Sequence, residues 1–534
     1  MKTVKIIKTL FVLLLTGAGM GSCTGNFEEI NTNPNRMLVG DITSYGMFEP
    51  ILYNSSNRWQ EYTWFWNNEL IQFTAHTGGT TRNEHRYVIS AANWQSVWNQ
   101  YADFANNTIH MYDLAIEHNE PAMQAIALTF KALFLSNQSD MFGDIPYSEA
   151  FTGRKPDGTK TPKFDSQKEV YQQLFADLER ANEIYSITPT PIFQKQGITA
   201  QESAAMDGMY GGRLEQWQKF NNSLYLRLLC RVSGRAEMNV GAKLSEILNN
   251  PAKYPVFASN DDNAKVVFSG IEPYLNYFYE HTQGEFSSSS RKLTEQLIKM
   301  TVLTDEVTGD QVYTDPRLPI YGQRNTNSAN PRWKGTVAGC TEGERSIVDG
   351  GTSWLNYAVF CRRAAPNYYM DYAEVLFVWA EAALKGLIPG GESKAKEYYE
   401  EAITASVQKW SEYGALSQIP VTITDLDVQA FLNSDLAAWD KAGNKEELIG
   451  NQKFLALFWT GMEAYHEYRR TGYPTLTIGQ GTEANEFTLP TRFAYPPITM
   501  ATNAASAQEA VSRMGGNDMK TPVWWSKEAI QKGR

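Results

Sequence analysis

Apolar positions recur at three- to four-residue spacing in paired stretches along the chain, with polar loops between the members of each pair. Residues 93–118 and 121–136 form the first pair, joined by a short turn at Asn119-Glu120. Residues 167–185 and 213–232 form the second, across a loop rich in Pro and Gly. The third spans 367–385 and 394–410, and the fourth joins a short stretch at 428–432 to 446–470. Such spacing predicts amphipathic helices that each bury one stripe. In the third pair Ala373, Leu376, Ala380 and Ala383 share a stripe, as do Ala395, Tyr399, Ala402 and Ser406 on its partner. Small residues let helix axes approach, and tyrosine fills the groove between them. Asn367 and Ser393 are expected near helix N-termini, and Gly386 where a helix stops.

Two stretches lack these stripes. Residues 53–90 and 250–366 are rich in Tyr, Trp, Asn, Ser and Gly, and runs such as 265–268 predict a few short strands. Long loops are usually functional or disordered, and the aromatic content argues against disorder. The Ala/Tyr alternation of the third pair looks like a tetratricopeptide unit. The expected fold is mostly α: four tetratricopeptide-type helix pairs supporting an irregular, loop-rich lobe. A generic helical bundle is the alternative.

The N-terminus has a different pattern. Lys2, Lys5 and Lys8 precede an uncharged, mostly apolar run over 9–22, the layout of a secretory signal. Met20-Gly21-Ser22-Cys23 then places small residues before a cysteine, as a bacterial lipoprotein signal does, although Met20 and Gly21 depart from the usual lipobox. Residues 1–22 are therefore read as a signal peptide, Cys23 as the lipidated N-terminus, 24–34 as a polar tether and 35–534 as one domain. An ordinary signal with an incidental cysteine is the alternative. Two acyl chains provide the double attachment that stable anchoring needs.

The formal net charge is −11, and the three lysines of residues 1–22 leave −14 on the remainder. That balance gives no support for nucleic-acid binding. Cys230 falls in an apolar helical pattern and reads as a buried small hydrophobe, while Cys340 and Cys361 are spaced so that they can pair or stay free. No H-E-x-x-H, C-x-x-C, G-x-S-x-G or G-x-x-x-x-G-K-[ST] occurs. Neither metal, cofactor nor catalytic constellation is expected. Asp144 and Glu149 invite a glycosidase reading, but the turn around Gly143 and Pro146 explains them better. Asp261-Asp262-Asn263 is read as a solvated turn, and Glu463 with Arg469-Arg470 as an internal ion-pair network.

Several blocks in order resemble the SusD/RagB family of surface nutrient-binding lipoproteins from Bacteroidetes. They are 26–34 after the cysteine, Asp140-Met141-Phe142-Gly143-Asp144-Ile145-Pro146-Tyr147-Ser148-Glu149-Ala150, and Gly211-Gly212 with Trp217-Gln218-Lys219-Phe220-Asn221-Asn222-Ser223-Leu224 and Arg227. Glu374 with Ala380-Glu381-Ala382, Arg469-Arg470-Thr471-Gly472-Tyr473-Pro474 and the closing Trp524-Trp525 continue the likeness. Asn222 departs from the family pattern. The resemblance implies a lid-like partner of a SusC-type TonB-dependent outer-membrane transporter that captures glycans or peptides, with no catalysis. A helical-repeat scaffold without a small ligand is the alternative class.

Sugar binding needs flat aromatic faces together with amide, hydroxyl and guanidinium groups. Two regions supply that mixture. Trp59, Trp64, Trp66, Asn68, His76 and Arg82 form the first, and Tyr274, Tyr277 and Tyr279 the second, with Trp333 and Trp354 as further candidates. Glycan is preferred over peptide as the ligand.

Overall fold

The computed structural model describes residues 42–78, 83–188, 200–287, 291–325, 331–348 and 350–533. The signal, Cys23, the tether and Arg82 lie outside the described residues.

Twelve helices of eight or more residues occur among the described residues. They are α1 Ser44–Tyr62, α2 Ala91–Glu117, α3 Pro121–Phe142, α4 Gln167–Ile187, α5 Leu214–Arg231, α6 Val240–Asn249, α7 Tyr372–Leu384, α8 Gly391–Ala415, α9 Asp425–Leu432, α10 Lys445–Ala456, α11 Glu463–Thr471 and α12 Ala504–Met514. Local chemistry sets their ends. Ser166 and Glu169 close a capping box at α4, and Pro121 opens α3 where its missing N–H costs nothing. Beyond α7 the chain turns at Gly386, with φ +69, where the sequence predicts a stop.

The helices pack as successive neighbours: α2 on α3, α3 on α4, α4 on α5, and α7 on α8. α3 is buried almost all round because α2 and α4 cover it from both sides. α7 joins the two halves, touching α5, α8 and α10.

Two expectations need correction. Residues 367–370 form a strand rather than a helix start, and Asp371 caps α7 by accepting the Glu374 N–H. The stretch 446–470 is two helices, because the chain turns through positive φ at Trp459 and Gly461. Gly461 has a second constraint: a Cβ there would lie 2.2 Å from the Trp59 indole. The short α9 packs on α8, and α10 takes α11 as its neighbour.

Buried charges tie the helices together. Glu463 on α11 bonds Arg231 and stands 3.4 Å from Arg227, both on α5. Arg227 also reaches Glu374 of α7 through Nε and Nη2, at 2.7 and 2.6 Å. Burial pulls Arg227 down, but the two carboxylates outweigh it and hold its pKa above the ordinary value. Arg231 lies 3.6 Å from Asp140 of α3, whose Oδ1 accepts from Tyr171 and Trp525. Arg470 pairs with Glu381 and Glu467, and Lys453 donates to Glu467 at 3.0 Å. Cys230 sits beside this cluster, 3.7 Å from Glu381 and 3.8 Å from Lys453, so its surroundings are more polar than its sequence pattern suggests. Cys340 and Cys361 are free and buried; the Cys361 thiol donates to the Phe278 carbonyl.

His85 fastens two distant loops. It is buried, and the Gly339 N–H donates to its Nδ1 at 3.1 Å. Burial, helped by Arg86, pushes its pKa from 6.5 down to about 3. The folded state therefore binds fewer protons than the unfolded chain between those values, and stability falls as pH drops below 6.5. The expected slope from this residue is about 1.4 kcal/mol per pH unit. Urea melts of His85→Gln at stepped pH should show a flatter acid limb than the parent; parallel limbs would refute the assignment.

Candidate functional site

Four distant segments meet in one small antiparallel sheet. Its strands are β1 Thr74–Ala75, β3 Lys292–Leu293, β6 Gly322–Gln323 and β7 Trp354–Leu355, in the order β1-β3-β7-β6. Register sets Ala75 opposite Lys292, Lys292 opposite Trp354, and Trp354 opposite Gln323. The other strands, β2 Ala264–Val266 with β8 Asn367–Met370 and β4 Val302–Thr304 with β5 Gln311–Thr314, make two separate ribbons.

Side chains gather in two groups along this sheet, together called the strip below. At one end the Arg291 guanidinium lies 4.2 Å from the Trp64 ring centre and 5.7 Å from that of Phe65. Glu69 stands 4.0 Å away and accepts from Thr74 Oγ1 and the His76 N–H, at 2.6 and 2.7 Å. Burial nevertheless raises the Glu69 pKa. His281 packs on Trp64 and Tyr277 with ring centres 5.8 and 5.4 Å apart, and burial lowers its pKa, favouring a neutral ring. The half-buried Tyr277 is held by its N–H donating to Asn57 Oδ1 at 2.9 Å. At the other end Lys292 Nζ lies 5.3 Å over Trp354, Trp354 Nε1 donates to Gln323 Oε1 at 3.4 Å, and the exposed Arg324 lies 5.1 Å over Trp333. Of these groups Phe65, Tyr277, His281 and Gln323 are half-buried and Arg324 is exposed, while Trp64, Arg291, Lys292, Trp333 and Trp354 are buried. The Tyr277 and His281 rings can stack on a ligand ring, and Gln323 and Arg324 can bond hydroxyl or acidic groups.

The structure separates the residues singled out from sequence. Trp59, Trp64, Trp66 and Asn68 are buried, so they do not form an exposed platform. Trp59 packs on Tyr369, Trp66 on Phe493, and Trp64 among Phe278, Phe286 and Trp459. Trp59 lies in α1, and Trp64 and Trp66 in the π-helical turn Thr63–Asn67 that prolongs it. Trp333 and Trp354 retain only 5% and 9% exposure and lie beneath cations on the strip. His76 and Tyr277 are half-buried and belong to it. Tyr274 and Tyr279 belong elsewhere: Tyr274 packs on Tyr53 at 4.6 Å, beside a hollow of ≈ 460 Å³, and Arg363 lies 5.3 Å over Tyr279. Sequence reasoning missed Phe65, Lys292, Gln323 and Arg324. For Arg324 the available signal was the cluster of Arg324, Arg332 and Lys334 around Trp333.

The carboxylates of the 140–150 block are spent on structure. Asp144 accepts from the Gln167 N–H and Arg513 Nε, at 2.7 and 2.6 Å, and Glu149 from the Lys163 N–H at 2.9 Å. Asp207 collects the N–H groups of Met209, Tyr210 and Gly212 and the Trp217 indole, which explains the Gly-Gly turn before α5. Among the described residues, no helix is long and apolar enough to cross a membrane.

Residues 34–496 match the SusD-like family model described as "Starch-binding associating with outer membrane". The chain belongs to the SusD-like family. Solved SusD homologues have the same fold. One from Bacteroides fragilis is 24% identical with a TM-score of 0.73, covering 91% of this chain and 100% of its own. Another from Parabacteroides distasonis is 20% identical with a TM-score of 0.74, covering 91% and 98%. A chitin-binding SusD homologue from Flavobacterium johnsoniae is 24% identical with a TM-score of 0.68, covering 90% and 98%. Among curated proteins, none matches the chain. SusD-like proteins are binding proteins that associate with the outer membrane, and nutrient binding is the role this membership supports.

Proposed function

We propose that this SusD-like protein captures an oligosaccharide on the Tyr277–Trp333 strip and delivers it, without hydrolysis, to a SusC-type TonB-dependent transporter. The half-buried Tyr277 and His281 rings and the exposed Arg324 support the reading, because they supply stacking surface and a hydrogen-bonding group. The chitin-binding relative supports a glycan over a peptide. Cys23 would hold the protein on the outer membrane by lipid, facing outward, and the tether would raise its effective concentration beside the transporter.

Isothermal titration against an oligosaccharide panel and a peptide digest tests the ligand class. Heat from oligosaccharide, unchanged glycan chain length, and weaker binding by Tyr277→Ala are expected. Heat from peptide alone would reject the reading. Cys23→Ala should release a soluble, ligand-competent protein; retention in the membrane fraction would reject the anchor.

A further inference from the structure

We infer that the ligand of the strip is an anionic oligosaccharide, one bearing carboxylate or sulfate groups, recognised by Arg324, Arg332 and Lys334. This rests on the proposed function and names its substrate class. The charge pattern is the first observation. Outside residues 1–22 the chain carries −14, yet residues 324–334 hold three cations and no acid, with the acid Asp310 lying on the hairpin beside Gly309. A local reversal of sign within an acidic protein focuses anions on that face.

The second observation is how those cations are held. Arg291 has Glu69 as a neighbour. Among the described residues, Arg324, Arg332 and Lys334 form no ion pair, and all three are exposed. Arg332 Nη2 donates to the Gly309 carbonyl at 2.7 Å and Lys334 Nζ to that of Gly350. Carbonyls orient these groups without neutralising them. Arg324 is placed by the Trp333 ring alone, leaving its guanidinium fork for a ligand.

The third observation is that the indole faces at this end are covered. Lys292 lies over Trp354 and Arg324 over Trp333. At Trp333 the exposed Arg324 therefore offers positive charge where a neutral sugar would need a bare ring. The backbone fixes the spacing, since the Lys334 N–H donates to Ser353 Oγ and the Ser353 N–H to the Lys334 carbonyl, next to Trp354. Guanidinium groups bind carboxylate and sulfate oxygens in bidentate pairs, which gives such a ligand geometry as well as attraction.

The test uses the purified protein and probes of matched length: neutral chito- and cello-oligosaccharides, oligogalacturonate, a sulfated chondroitin oligosaccharide, and poly-glutamate. Titrations run at about 50 mM and about 300 mM salt, which spans strong and weak screening. An anionic sugar should bind best and weaken several-fold at the higher salt. Arg324→Ala combined with Lys334→Ala should lower that affinity about tenfold or more, with Arg324→Lys intermediate because it keeps charge but loses the fork. Thermal melts of these exposed variants should match the parent. Neutral sugars binding equally well without salt dependence would overturn this inference and leave the proposed function standing. Poly-glutamate matching the acidic sugars would overturn the sugar assignment, and peptide binding with no sugar binding would remove the proposed function as well.

Discussion

Glu463→Ala should destabilise the protein by about 3–5 kcal/mol, because it leaves two buried guanidinium groups without their shared carboxylate. Glu463 serves both Arg227 and Arg231, and water cannot replace it in an interior where all three are buried. Arg227 keeps Glu374 and the Tyr369 carbonyl, whereas Arg231 keeps only the more distant Asp140 and the face of Trp525. The damage should therefore centre on the junction of α3, α5 and α11. Glu463→Gln keeps the shape and one acceptor and should fall between the parent and the alanine variant. Urea denaturation followed by tryptophan fluorescence measures the difference. A loss below about 1 kcal/mol would mean that the network is solvated, contrary to its placement.

Trp64→Ala should cost a similar amount, about 3–5 kcal/mol, through a cavity among Phe278, Phe286 and Trp459. It also removes the ring on which Arg291 lies, so ligand affinity should fall along with stability. Trp64→Phe keeps an apolar ring and should recover most of the stability. The distinguishing result is the coupling: a residue that only touched ligand would change affinity and leave the melt untouched. Unaltered stability in Trp64→Ala would place that tryptophan back on the surface.

The helix pairs were legible because each writes its own stripe. α2, α3, α4, α5 and α8 begin or end within a few residues of where periodicity puts them, and turn chemistry such as Gly386 is local. Periodicity failed where apolar character runs on through a change of conformation. The run from Asn367 to Leu384 is mostly apolar on both sides of Asp371, so the strand partner of 264–266 merges with the helix that follows Asp371. The break at Trp459 and Gly461 hides in the same way inside 454–462.

The site was less legible for a physical reason. Whether Trp59, Trp64 and Trp66 face water depends on Tyr369, Phe278, Trp459 and Phe493, all far along the chain. Tyr274 and Tyr277 stand three residues apart and look equivalent in sequence. One meets Tyr53 and the other His281, because Asn57 fixes the backbone between them through the Leu275 carbonyl and the Tyr277 N–H.

The strands of the four-stranded sheet are two residues long, and the exposed cations stand just outside them, at 324, 332 and 334. A change at those positions meets no helix stripe and breaks no buried charge pair. With those cations as the ligand contacts proposed above, selection could rewrite recognition one surface residue at a time while the helical frame goes on folding as before. On that reading the frame and the face are separable inheritances, and a lineage could change diet without rebuilding its architecture.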